Sequence, residues 1–235
     1  MTKKNIKFSI AIDGGSASGK TTGSKIISKE FKFKLLSSGK LYRYLAFKII
    51  KNKKKYDQKF ISSQAKKINL PKLKNKELNN LEVTKLSAII AKKKYIRNEL
   101  KKFQKDFIKK NKKVIIEGRD IASKIMPNAD LKIFFRCSLK EKAKRRLKDY
   151  KKTNKNIKLS EIKKSLKLRD FSDKNRKESP LLFVKGAVLV DTTNLNIKQM
   201  EAKLNKLVIK EIEKKKIWKY IKIYPHQNPK NSKIY

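Results

Sequence analysis

Short apolar runs alternate with longer amphipathic stretches along this chain of 235 residues. Buried strands are indicated at Phe8 to Ile12, Val114 to Ile116, Leu131 to Phe135 and Val188 to Val190, and Leu35-Leu36 forms a shorter run. Alternation of this kind is typical of a parallel sheet with helices on both faces. The pattern therefore predicts an α/β fold with a central, mostly five-stranded parallel sheet.

Helix signals fill the intervals between these runs. Capping boxes begin two of the helices, at Ser138-x-x-Glu141 and at Asn196-x-x-Gln199. Apolar spacing from Leu159 to Leu168 predicts another helix, with three polar residues on one face near its end. Those residues are Arg169, Asp173 and Arg176.

Two segments that lack a clear buried strand interrupt the sheet pattern, at about 39–111 and about 150–179. Because both lie between core strands, we expect insertions peripheral to the sheet rather than sequential domains. Residues 1–210 are predicted to form one domain, and 211–235 a basic C-terminal extension. No internal repeat is present.

The loop after the first strand matches the phosphate-binding pattern G-x-x-x-x-G-K-[ST]. Its glycines let the backbone wrap a polyphosphate with N–H groups pointing inward, and the following helix adds a favourable dipole. Lys20 would reach the β- and γ-phosphates, and the Thr21 hydroxyl would coordinate Mg²⁺. The predicted ATP-binding residues here are Gly14, Gly15, Ser16, Ala17, Ser18, Gly19, Lys20, Thr21 and Thr22.

The formal net charge of +46 would ordinarily indicate a nucleic-acid or membrane partner. The lysines are spread evenly and accompany many Ile and Asn residues, as in a proteome-wide compositional bias, so we expect neither partner. Only eight of the 66 basic residues are arginine. Because lysine cannot replace the planar guanidinium where phosphate is gripped by two bonds, each retained arginine is a candidate functional residue.

Cysteine and histidine give little support to other chemistry. Cys137 and His226 are the only residues of their kinds, so no disulfide can form within the chain. Cys137 ends an apolar run and is expected to be buried. With no secretion signal and no apolar run near the roughly 18 residues of a membrane span, we expect a cytoplasmic protein. We also expect a monomer.

Further polar clusters follow the phosphate-binding loop in a consistent order. They are Ser38-Gly39 with Tyr42-Arg43, then Arg97, then Glu117-Gly118-Arg119-Asp120, then Arg169-Asp170-x-x-Asp173-x-Asn175-Arg176. Together with Ile-Asp-Gly at 12–14 and Asp-Thr-Thr at 191–193, this set resembles bacterial cytidylate kinase, a nucleoside monophosphate (NMP) kinase family. The resemblance runs from about Ile6 to Val208.

The resemblance implies a P-loop NTPase fold with an NMP-binding insertion and a mobile lid. It implies transfer of the γ-phosphoryl group of ATP to CMP or dCMP, with Mg²⁺. The implied roles are as follows: Arg43, Arg119 and Arg176 grip the acceptor phosphate, Arg97 and Asp120 contact cytosine, Arg169 and Asp173 contact the ribose, Arg145 and Arg146 form the lid-side pair, and Ser38 and Tyr42 line the acceptor site. Lys20, Arg119, Arg146 and Arg176 would be catalytic.

Some positions remain open or depart from the family. Asp173 could instead be a helix-face charge paired with Arg169. Asp13 and Glu117, at strand ends, could hold Mg²⁺-bound water or cap backbone groups. Gly15 stands where the family usually has proline, and Ala88, with Ser87 beside it, where a serine contacts cytosine. Arg136 matches no motif and is expected at the surface.

Two alternatives differ in class. One is another P-loop kinase of a small acceptor, such as a UMP, AMP or shikimate kinase. Gly118-Arg119-Asp120 and the cluster from Arg169 to Arg176 would then need other roles. The other is a basic nucleic-acid-binding protein with a vestigial P-loop, which should carry a local basic stripe with interleaved aromatic residues.

Overall fold

The computed structural model describes residues 7–52, 57–151 and 157–223. It confirms the predicted α/β fold, with five parallel strands in the order β2-β3-β1-β4-β5. The strands are β1 (Phe8–Gly14), β2 (Lys34–Ser37), β3 (Lys113–Gly118), β4 (Leu131–Arg136) and β5 (Val188–Asp191). Each predicted apolar run thus lies in a strand, and β1 occupies the centre.

Helices surround this sheet. They are α1 (Lys20–Glu30), α2 (Ser38–Lys51), α3 (Gln58–Lys66), α4 (Leu81–Ile90), α5 (Lys94–Lys110), α6 (Leu139–Lys151), α7 (Leu159–Asn175) and α8 (Ile197–Ile223), with a π-helical turn at Ile121–Ile125. Two short 3-10 turns, Lys72–Lys74 and Lys76–Asn79, precede α4. The predicted capping box at Asn196 forms, because Asn196 and Gln199 exchange two hydrogen bonds. The one at Ser138 forms only in half: Ser138 Oγ accepts from the N–H of Glu141, whereas the N–H of Ser138 donates to the Thr193 hydroxyl and the Glu141 carboxylate accepts from Arg145.

Alternate residues of the central strands feed two separate cores. Ala11 and Ile116 face one side of the sheet, whereas Ile10, Ile12 and Ile115 face the other. This is the period-two alternation of a strand that is buried on both faces. The sheet is therefore the shared wall of two hydrophobic cores.

The segment at 39–111 is not peripheral to the sheet, contrary to our expectation. Leu45 of α2, Ile61 of α3 and Ile96 of α5 belong to the same buried cluster as Leu36 and Ile116 of the sheet. These helices pack on one another, and the apolar cluster that they form covers one face of the sheet. Residues 53–56 of this segment lie outside the described ranges.

The helices α6 and α7 pack on each other around a small cluster of their own, formed by Ala143, Ile162 and Leu166. The predicted lid at 150–179 takes in the end of α6 and all of α7, and its residues 152–156 lie outside the described ranges. Arg145 and Arg146 lie in α6, which begins at Leu139, and so belong to this pair of packed helices. The limits of the lid remain a prediction.

The last helix crosses the predicted boundary at residue 210 without a break. Beyond that boundary, Ile212 packs against the core that α8 shares with the sheet, and the Lys215 ammonium bonds the carbonyl of Lys7 and the carboxylate of Asp130. Residues 224–235 of the predicted extension lie outside the described ranges. Within the described ranges, no helix is both long enough and apolar enough to cross a membrane.

Candidate active site

The phosphate-binding loop joins the carboxyl end of β1 to the start of α1. Gly19 caps that helix with a left-handed φ of 88°, a conformation that glycine adopts without strain. The first N–H groups of a helix have no acceptor within the helix, so they face the cleft as an anion-binding surface. The loop thus lies between a strand and a helix, as the sequence predicts, and its binding of ATP stays a prediction.

Lys20 is buried, and its ammonium donates to the carbonyl of Gly15 at 3.0 Å. Burial and, to a smaller extent, the nearby positive charge of Arg119 lower the pKa of Lys20 from 10.5 to about 7, against the opposing charge of Glu117. A lysine in this state gains a full charge when an anion arrives beside it. The loop is therefore prepared for a polyanion.

We expect nucleotide binding to be coupled to proton uptake by Lys20. A phosphate beside the ammonium raises its pKa, so at pH 8 binding of Mg-ATP should take up close to one proton at this group, and at pH 6 almost none. Affinity should accordingly fall as pH rises above about 7. Titration calorimetry in buffers of different ionisation enthalpy measures the uptake, and its persistence in a Lys20→Met variant would contradict the assignment.

Two carboxylates stand at strand ends beside the loop. Asp13 accepts the N–H groups of Ile121 and Ala122 at 2.9 and 2.7 Å, and burial raises its pKa to about 6. Of its two possible roles, capping is therefore the one observed. Glu117 accepts from the hydroxyls of Thr21 at 2.8 Å and Ser37 at 2.6 Å. Its oxygens lie within reach of the predicted Mg²⁺ ligand.

A cluster of half-buried arginines faces the loop across the cleft. Asp173 holds it together, because its carboxylate accepts from Arg119 Nε at 2.7 Å and from an Nη of Arg176 at 3.3 Å. Burial alone would lower the pKa of Arg119, but the Asp173 charge raises it overall. In return Arg119 holds the pKa of Asp173 below its usual value despite burial. Among the described residues, Asp173 forms its ion pairs with these two arginines rather than with Arg169.

Some donors in this cluster have no partner. The Nε of Arg169 and one Nη of Arg176 are buried and make no hydrogen bond within the described residues, and neither does the Ser18 hydroxyl in the loop. Burial and the charge of Arg119 lower the pKa of Arg169 to about 10. Unsatisfied buried donors are costly, so their presence beside a cleft indicates a ligand that accepts hydrogen bonds.

A second buried pair lies at the far wall of the cleft. Arg97 donates to the carboxylate of Asp120 and, at 3.0 Å, to the carbonyl of Ala91. Its guanidinium stands 5.6 Å from the centre of the Tyr42 ring, and burial raises the pKa of that phenol to about 12. Charged and aromatic groups with fixed geometry suit recognition of a planar polar ring.

The serine beside this pair is engaged locally. Ser87 and Ala88 both line the cleft, and the Ser87 hydroxyl donates to the carbonyl of Thr84 at 2.8 Å. A hydroxyl can still accept a hydrogen bond while it donates one. Ser87 is therefore available as an acceptor beside Ala88, which stands where the family has a serine.

The arginines of α6 reach the loop from the lid side. Arg145 donates to the hydroxyl and the carbonyl of Thr192 at 3.0 and 2.6 Å, and that hydroxyl donates to the carbonyl of Ser18 at 2.9 Å. Arg146 donates to the Ser16 hydroxyl at 3.2 Å. Both guanidinium groups therefore border the phosphate-binding loop.

These groups enclose one cleft of about 800 Å³. Its walls include every predicted site residue except Gly14 and Gly15. Gly14 has Phe135 against it, and Gly15 has Lys142 and Asp170, so both serve the packing of the loop. Arg136 is exposed, as predicted, and pairs with Asp191.

Sequence reasoning missed two contributors to the site. Asn79 accepts from Arg43 at 2.8 Å, but nothing distinguishes it among the many asparagines of the chain. Thr192 lies in the Asp-Thr-Thr motif, which was the available signal, although the motif alone gave it no role. The described residues contain no group of three or more His, Cys, Asp or Glu side chains that could hold a metal ion.

Comparison with known proteins gives consistent matches. The family model described as Cytidylate kinase matches residues 10–210. The cytidylate kinase of Fusobacterium nucleatum subsp. nucleatum is 38% identical over 223 residues, which cover 88% of this chain and 98% of that protein. The cytidylate kinase of Phytoplasma mali is 32% identical, with 86% and 94% covered, and that of Rickettsia felis is 37% identical, with 80% and 86% covered.

Proposed function

The chain belongs to the cytidylate kinase family, and on that premise we propose that its cleft transfers the γ-phosphoryl group of ATP to CMP or dCMP. One observation carries the proposal at this site. Buried arginine donors without partners, on Arg169 and Arg176, share a single cleft with the phosphate-binding loop. In-line transfer needs two polyanions to be held side by side in one site, with their negative charge neutralised.

The donor side is built from the loop and α6. The N–H groups at the start of α1 and the Lys20 ammonium would hold the β- and γ-phosphates of ATP, with Arg145 and Arg146 beside them. The hydroxyl of Thr21, with Glu117 behind it, would hold Mg²⁺. When bound, Mg²⁺ neutralises charge on the phosphates and orients them.

The acceptor side is built from arginines on three elements. Arg43 of α2, Arg119 after β3 and Arg176 at the end of α7 would grip the CMP phosphate, and Arg169 with Asp173 would contact the ribose. Asp173 supports this grip because its carboxylate fixes the planes of Arg119 and Arg176. Fixed planes favour bidentate bonds to phosphate oxygens.

Base selection would fall to the Arg97–Asp120 pair. Arg97 supplies donors and Asp120 acceptors, so the pair complements the carbonyl, ring nitrogen and amino group of cytosine. A wrong base would leave these buried charges unpaired, which is the condition for strong discrimination.

The lid would complete the site when both nucleotides are bound. Closure of the predicted lid, at about 150–179, over the phosphates would exclude water, which otherwise accepts the γ-phosphoryl group. The evenly spread lysines support an enzyme that acts on free nucleotides rather than on a specific nucleic acid. We propose that it works as a cytoplasmic monomer.

A panel of nucleoside monophosphates tests the proposal. With Mg-ATP, we expect kcat/KM for CMP and dCMP to exceed that for AMP and GMP by roughly 10³-fold or more, and that for UMP by a smaller factor. ADP formation, followed by a coupled assay, measures each rate. Equal or faster turnover of AMP would favour another NMP kinase activity and would overturn the assignment of Arg97 and Asp120.

A further inference from the structure

An ion pair outside the cleft joins α6 and α7 to the phosphate-binding loop; we call these two packed helices the lid helices, because the predicted lid takes in all of α7 and the end of α6. The Lys142 ammonium of α6 lies 2.7 Å from one carboxylate oxygen of Asp170 of α7, and the other oxygen accepts the backbone N–H of Ser16 at 3.0 Å. The two side chains are only 12% and 17% exposed. Neither lines the cleft, so the transfer reaction described above gives the pair no role.

Gly15 makes room for this ion pair. A Cβ at residue 15 would lie 2.9 Å from the Lys142 ammonium and 3.0 and 3.1 Å from the two Asp170 oxygens. These distances are tighter than ordinary contacts, so a side chain at residue 15 would displace the ammonium and the carboxylate by a few tenths of an ångström. Glycine at residue 15 therefore lets the pair lie directly against the loop backbone.

Three elements are fixed to one another by this arrangement. Both Asp170 oxygens are engaged, one by a backbone group of the loop and one by α6, so the carboxylate is held in a single orientation. Charge-assisted bonds between largely buried groups are short and strongly directional. The adjacent helical turns carry Arg145, Arg146 and Arg169, whose positions follow those of α6 and α7.

We propose that Lys142 and Asp170 are positioning residues that hold the lid helices in register with the phosphate-binding loop. Through them, arginines on both helices come to face the phosphates. The proposal rests on the proposed function for the role of those arginines. The registration itself is a property of the protein alone and can be measured without catalysis.

Catalysis by paired variants tests the proposal. Lys142→Met and Asp170→Ala should each lower kcat for CMP about tenfold or more while KM for CMP changes little, because misplaced groups slow transfer. The double variant should be no slower than the slower single variant, and Lys142→Arg should retain most of the activity. Unchanged kcat in the single variants, or effects that multiply in the double variant, would overturn the proposal.

Gly15→Ala provides an independent arm that removes no charge. It should reproduce the kcat defect in the wild-type background, yet add nothing in the Asp170→Ala background, where the carboxylate it displaces is already gone. An equal further loss in both backgrounds would mean that the alanine acts on the loop alone. Matched controls are Lys144→Met and Asp106→Ala, which change exposed residues of α6 and α5 and should leave kcat unchanged.

Hydrogen exchange separates this proposal from the proposed function. In nucleotide-free protein, amides of α7 should exchange faster in Lys142→Met, Asp170→Ala and Gly15→Ala than in the controls, with melting temperatures recorded to exclude global unfolding. If the wild-type protein phosphorylated no nucleotide, the proposed function would fail. The hydrogen-exchange measurement would still show whether Lys142 and Asp170 hold α6 and α7 against the loop. Unchanged exchange in α7 would overturn the positioning role.

Discussion

Replacing Lys20 by methionine should lower kcat for CMP phosphorylation by roughly 10³-fold, as removal of a single preorganised charge at a transferring group can do. Methionine keeps most of the apolar stem but none of the charge. The wild-type ammonium is buried and held 3.0 Å from the Gly15 carbonyl, so it is oriented before the nucleotide arrives. Steady-state assays at saturating Mg-ATP and CMP measure the loss.

A surface lysine on the same helix is the matched control. Lys29→Met changes an exposed residue near the end of α1 and should leave kcat within about twofold of wild type, as surface substitutions usually do. The Lys20 variant should stay folded, because it removes a buried charge and leaves the carbonyl of Gly15 beside the cleft. Comparable kcat values for the two folded variants would contradict a phosphate-binding role for Lys20.

Arg176→Lys should lower kcat/KM for CMP by roughly 10²-fold or more, although it conserves charge. The Arg176 Nε donates to the Ser179 carbonyl at 2.7 Å, one Nη donates to Asp173, and the other Nη is buried without a partner in the described part of the chain. An ammonium has three donors but no planar fork, so it cannot span the two anchoring acceptors and a phosphate oxygen in the same fixed geometry. Initial rates at low CMP measure the effect.

Arg136→Lys makes the same chemical change outside the cleft. The Arg136 side chain is 61% exposed and pairs with Asp191 at 2.9 Å, so its replacement should be close to neutral. If the two substitutions had similar effects while both proteins remained folded, the retained arginines of this lysine-rich chain would not mark the active site. Melting temperatures of both variants serve as the folding check.

The sheet could be predicted from the sequence because its strands are buried on both faces. Phe8 to Ile12 and Val114 to Ile116 are short, largely apolar runs with polar ends, a pattern typical of strands that are buried on both faces. The placement of 39–111 could not be predicted in the same way. Amphipathic helices reveal that they have an apolar face, but the face they cover depends on long-range packing, here on Leu36 and Ile116.

The composition of the cleft was largely predictable, and its internal bonding was not. Arg119, Arg169 and Arg176 could be predicted as site residues because arginine is scarce in this chain and because they occupy motif positions. Arg169, Asp173 and Arg176 do lie together at the end of one helix, as predicted, but their spacing alone favours an ion pair between Asp173 and Arg169. One of the two observed partners of Asp173, Arg119, lies 54 positions away along the chain. Pairing across elements depends on the fold and leaves no local signal.

The helix α8 extends beyond the last residue, 210, that the family model matches. The Lys215 ammonium lies over the Phe8 ring and joins the Lys7 carbonyl to Asp130, whose carboxylate also accepts from Ser9. These contacts close the amino end of β1, while the phosphate-binding loop occupies its carboxyl end. The boundary of homology and the boundary of the folding unit therefore differ in this protein, and a chain cut where the homology stops would lose the fastening of its central strand.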